Sequence, residues 1–121
     1  LAIISGSMNV LLEKFMPNYN EIFDDVFLSK IYFDKKGNIE KIEATEYDME
    51  MKAKALKLIA ERENIEIEEC VFVGDYLNDI KVMQEAGLGI AFNCKEDKLK
   101  EIADVVIEKK DLRAILRYIL N

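Results

Sequence analysis

Two aspartates stand four residues apart in Gly74-Asp75-Tyr76-Leu77-Asn78-Asp79, directly after the apolar run Cys70-Val71-Phe72-Val73. A run that is apolar at every position suits a strand buried on both faces. Asp75 then falls on the loop at the strand's mouth. Asp79 falls near the first turn of the next helix, whose apolar stripe is Leu77, Ile80 and Met83. Two hard carboxylates at this spacing can aim at one point, and they suit Mg²⁺, which binds through few carboxylates and keeps several waters. The same pattern also serves as a helix cap, with one acid before the helix and a second in its first turn stabilising the dipole. The local pattern leaves both readings open.

Two further places carry chemistry of a matching kind. In Ser5-Gly6-Ser7-Met8-Asn9, a hydroxyl, a glycine and free N–H groups at a helix start make a phosphate seat, or an ordinary strand-to-helix turn capped by serine. Lys52 opens a helical stretch, but Lys54 and Lys57 lie beside it and nothing local singles it out.

Composition narrows the remaining chemistry. The 121 residues contain no histidine, which removes histidine triads, dyads and zinc motifs together. Carboxylates, lysine, hydroxyls and a hard metal ion are left. The net charge of −7, with lysines interspersed among glutamates, argues against a nucleic-acid partner. No apolar run approaches the roughly 18 residues of a membrane span, and no signal-peptide pattern is present, so the expected location is the cytoplasm. Cys70 and Cys94 form no CxxC and read as reduced, buried thiols.

The positioning elements follow from periodicity. Leu1 to Ser5 reads as a buried strand ended by Gly6. Met8, Leu11, Leu12, Phe15 and Met16 stripe a short helix stopped by Pro17. Residues 26–45 read as a β-hairpin insertion around Asp34-Lys35-Lys36-Gly37-Asn38. From residue 46 on, helices alternate with short apolar strands: helix 51–64, strand 70–73, a helix ended by Gly87, strand 88–92, a helix around Leu99, strand 105–107 and a last helix striped by Leu112, Ile115, Leu116 and Ile119. That alternation predicts one α/β domain over 1–121, a Rossmann-like parallel sheet with helices on both faces, and sites at the C-terminal strand ends.

Taken together, the three chemical segments resemble motifs II, III and IV of the haloacid dehalogenase superfamily, in its phosphoserine phosphatase branch. Ser5-Gly6 matches motif II. Lys52, which precedes Asp75 by 23 residues, matches the motif III lysine, and Gly74-Asp75-x-x-Asn78-Asp79 matches motif IV. The runs Met83 to Phe92 and Ala103 to Leu116 are similar to the same branch. The resemblance implies a Mg²⁺-dependent phosphatase acting on a small phosphorylated metabolite through an aspartyl-phosphate. It further implies Asp75 as metal ligand, and Asp79 at the metal, through its water, or at the lysine. Asn78 would position the substrate, and Ser5, Gly6 and Lys52 would neutralise phosphoryl oxygens. The superfamily also includes the phosphorylation domains of cation-pumping ATPases, but no membrane helix follows the core here.

The chain departs from the family at three points. It has no Asp-x-Asp, so the motif I nucleophile and the cap that follows it are expected to lie outside this chain, in an upstream segment or a second chain. Ser7 and Tyr76 stand where that branch carries glycine, which puts phosphoserine itself in doubt as substrate. The competing expectation is a non-catalytic scaffold or partner-binding domain that keeps the fold.

Overall fold

The continuous apolar runs become the centre of the molecule. The computed structural model describes residues 1–120. Strands β4 (Val71–Gly74), β5 (Leu88–Phe92) and β6 (Val105–Ile107) form a parallel sheet in that order. The register sets Val73 against Ile90 and Ala91 against Val106. Helix α4 (Ile80–Glu85) connects the first pair and α5 (Asp97–Ile102) the second. Helix α3 (Lys52–Glu63) packs on α4. Ile90, Leu99 and Val82 are fully buried, and Ala53, Leu56, Phe72 and Met83 complete the core around them. Burying each large apolar side chain contributes about 1.5–3 kcal/mol. The expected α/β architecture is present.

The N-terminal part forms a second, smaller sheet. Strand β1 (Ala2–Met8) pairs in parallel with β2 (Asp25–Phe33), and β2 pairs antiparallel with β3 (Ile39–Glu43). Two short helices, α1 (Asn9–Phe15) and α2 (Tyr19–Ile22), connect β1 to β2. Residues 26–45 are therefore not set apart from the sheet: the first strand of the hairpin is also the neighbour of β1. The N-terminal strand also outruns Ser5. Its register shifts between Ile4 and Met8, so Ser5-Gly6-Ser7 is a bulge inside β1, and the helix begins one residue later than its stripe predicts. A bulge leaves residues without ladder partners and re-aims them.

The two sheets are not joined. Ala2–Ser5 does not pair with Val71–Val73, and among the described residues β1 and β4 each carry a strand on one side alone. Ile4 of β1 nevertheless packs against the same core as Phe72 of β4. The last helix α6 (Leu116–Ile119) follows a single 3-10 turn, Leu112–Ile115. Both cysteines are buried and free, and no described helix is long and apolar enough to cross a membrane.

Candidate active site

Asp79 is a buried carboxylate with three hydrogen-bond donors. It lies in the 3-10 turn Leu77–Asp79 that leads into α4, and only 3% of it is exposed. Its carboxylate folds back over the end of β4. A Cβ on Gly74 would sit 2.6 Å from Asp79 Oδ2, so a side chain at 74 would push it out. Oδ2 accepts the backbone N–H groups of Asp75 at 3.0 Å and Tyr76 at 3.3 Å. Oδ1 accepts the Lys52 ammonium at 2.7 Å.

Lys52 is the first residue of α3, and 7% of it is exposed, whereas Lys54 and Lys57 on the same helix are exposed. Burial distinguishes the three lysines where local sequence does not. A buried ammonium persists when paired and hydrogen-bonded, and Asp79 supplies the partner. Asp79 acts as the cap of this segment, holding the loop amides with one oxygen, and accepts the lysine with the other.

The remaining residues are placed less uniformly. The Asp75 carboxylate is exposed and makes no hydrogen bond to a described residue. Asn78 is half-buried, and its amide donates to Asp48 Oδ1 at 3.3 Å. Tyr76 is 56% exposed beside the two aspartates. Gly6 packs against the Asp48 carboxylate, which links the β1 bulge to the Asn78 side of the site. Ser5 is not drawn in directly: its Oγ accepts Ser7 N at 3.1 Å. It lines an apolar recess of about 290 Å³ with Ile3, Leu11, Leu12, Phe15 and Leu28. Asp48 is the site residue that sequence reasoning misses. Its one local signal is that of a cap, because it precedes the turn Met49–Met51 and accepts Met49 N at 2.7 Å.

The donor set fits a hard cation in a specific way. Asp79 has both oxygens engaged by N–H donors. Asp75 is the open carboxylate at the strand end. Among the described residues no three acidic, cysteine or histidine side chains converge on one point. Mg²⁺, which completes its shell with waters and substrate oxygens, tolerates so sparse a protein contribution.

The model of the haloacid dehalogenase-like hydrolase family matches residues 7–119. The chain is 36% identical over 119 residues to a phosphoserine phosphatase of Methanocaldococcus jannaschii, covering 98% of this chain and 55% of that protein. It is 33% identical over 112 residues to a phosphoserine phosphatase of Archaeoglobus fulgidus, covering 93% of this chain and 32% of that protein. A crystal structure of phosphoserine phosphatase in apo form superposes with a TM-score of 0.81 at 36% identity, covering 98% of this chain and 57% of the other. The chain thus spans a third to rather more than half of these relatives. It belongs to the haloacid dehalogenase-like hydrolases, in the branch resembling phosphoserine phosphatase.

Proposed function

We propose that the full-length protein carrying this chain is a cytoplasmic, magnesium-dependent phosphomonoester hydrolase acting on a small phosphorylated metabolite. The observation that carries the reading is the buried Lys52–Asp79 pair at the C-terminal end of β4, with the Asp75 carboxylate open beside it. Phosphoryl transfer needs positioned positive charge more than covalent help from the protein. Lys52 is held by Asp79 in one rotamer and brings a desolvated cation to a phosphoryl oxygen. Asn78 and the N–H of Gly6 add neutral donors, and Ser5 a hydroxyl once the bulge turns it toward the substrate. Asp75 would hold Mg²⁺, which would add further charge neutralisation.

The attacking group is an aspartate contributed by an upstream segment or a second chain. Its carboxylate oxygen forms a bond to phosphorus as the ester P–O bond breaks, and the leaving alcohol takes up a proton. Water then hydrolyses the aspartyl-phosphate to inorganic phosphate and free carboxylate. Tyr76, exposed at the rim, narrows the choice of substrate.

The test is phosphate release by the full-length protein from a panel of phosphomonoesters that includes phosphoserine, with Mg²⁺ and with EDTA. The expected outcome is Mg²⁺-dependent turnover of at least one ester, reduced on the order of 100-fold by Asp75→Asn. No release from any ester with Mg²⁺ present would favour a non-catalytic domain.

A further inference from the structure

Asp48 is a negative charge where the proposed chemistry wants donors. It lies on the loop between β3 and α3, far in sequence from Gly6 and Asn78, yet it touches both. Oδ1 accepts the Asn78 amide at 3.3 Å and the Met49 N–H at 2.7 Å. The carboxylate lies so close over Gly6 that a Cβ there would collide with it. Oδ2 accepts no hydrogen bond from a described residue. The next residue, Met49, has φ +52, a left-handed conformation that non-glycine residues adopt at a cost. Nothing in helix capping requires the carboxylate to lie against another strand.

We infer that Asp48 is a resident carboxylate in the phosphate seat, a built-in competitor that an incoming phosphoryl group displaces from Gly6 and Asn78. The inference rests on the reading of Gly6 and Asn78 as phosphate-holding groups. The Asp48 carboxylate fills the space over Gly6 and accepts the Asn78 amide, so a phosphoryl group entering there competes with it for that donor and that volume, and two anions in contact repel. Asp48 therefore weakens the hold on free phosphate, the product of the reaction, while its own bonds keep Asn78 positioned when the seat is empty. It is a positioning and gating residue, not a catalytic one. Its effect falls on affinity.

The experiment measures inorganic phosphate binding by calorimetry in the full-length wild-type protein, Asp48→Asn and Asp48→Ser, with melting temperatures for each. Asparagine keeps the shape and an acceptor oxygen without the charge. Serine keeps a capping oxygen and vacates the space over Gly6. The expected result is phosphate binding roughly tenfold tighter in both variants, a change of one unit in log Kd. For an ester that the wild type turns over, KM falls while kcat stays within about twofold, as expected for a change in uniform binding. Wild-type binding that neither variant tightens overturns the role of Asp48, and a lowered melting temperature with that result marks it as a cap alone. Phosphate binding absent in all three proteins overturns the phosphatase reading along with it.

Discussion

The Lys52 ammonium lies 2.7 Å from Asp79 Oδ1, with side-chain exposures of 9% and 4%. This bond ties the start of α3 to the end of β4 across 27 residues of sequence. The two partners are not equally dependent on it. Asp79 keeps two backbone N–H donors if the lysine is removed, but among the described residues Lys52 has Asp79 as its sole carboxylate partner. Removing one partner of a buried pair costs about 3–5 kcal/mol because the other charge is left uncompensated. Asp79→Ala in the full-length protein is therefore expected near that range. Lys52→Met, which fills the same space, costs distinctly less. Urea unfolding of both variants checks the order, and equal losses would mean that the loop amides do not support Asp79.

The open carboxylate and the committed one predict different metal behaviour. Asp75→Asn removes charge at the proposed ion. Asp79→Asn acts through an intervening group, and losses from such outer groups run about 10–100-fold in affinity. Calorimetric titration of Mg²⁺ into the full-length protein should show the larger loss for Asp75→Asn. A larger loss for Asp79→Asn would place Asp79 in direct contact with the ion.

How far the sequence foretold this arrangement depends on what each residue answers to. Strand β5 begins and ends where its apolar run does, because a doubly buried strand records its environment at every position; β6 also matches its run although Val106 at its centre is exposed. The burial of Lys52 is invisible locally: Lys52, Lys54 and Lys57 all stand between apolar neighbours, and α3 turns one of the three inward. Asp48 meets Gly6 and Asn78 through chain packing alone, so its sequence signal is that of a cap. Gly87 reads as a helix stop, but the helix ends at Glu85 and Ala86 already caps it with extended backbone. Gly87 is required because a Cβ would run into the Glu68 carbonyl, a contact no periodicity encodes. The orientation of Ser5 is not legible either, because it depends on the β1 bulge, where its Oγ accepts Ser7 N.

The hairpin turn carries an acid-sensitive lock. Asp34 accepts the Asn38 side-chain amide at 3.0 Å and the backbone N–H groups of Asn38 at 2.9 Å and Lys36 at 2.8 Å. The Asn38 side chain first, then the Asn38 backbone, holds the Asp34 carboxyl below the usual carboxylate range. A depressed value means the bonds stabilise the turn fully above the unfolded-state value and are lost as pH falls through the folded one. The Lys36 and Asn38 amide resonances should therefore shift together with an inflection below that of an ordinary aspartate. In Asp34→Ala that inflection disappears. An inflection at the ordinary value would show that the turn does not hold the carboxylate.

The open edges of β1 and β4 lead to the last prediction. Cys70 O accepts Leu88 N, so Cys70 faces β5, and by strand alternation the Val71 and Val73 amides point away from it. Among the described residues no strand lies on that side of β4. A buried backbone group left unpaired costs on the order of 1–3 kcal/mol, and several such groups face the gap, against a net stability of about 5–15 kcal/mol for a domain. We expect a strand from outside this chain to fill the gap, and the same segment would bring the proposed nucleophilic aspartate, because a strand lying there would end beside Asp75 and Lys52. Two measurements on the 121-residue chain alone follow. It should release no phosphate from a generic ester with Mg²⁺, and its Val71 and Val73 amides should exchange far faster than those of β5. In the full-length protein the same two amides should be protected to the level of the core. Phosphate release by the isolated chain would place the nucleophile within it, and protection of Val71 and Val73 in the isolated chain would mean that the sheet closes without an added strand.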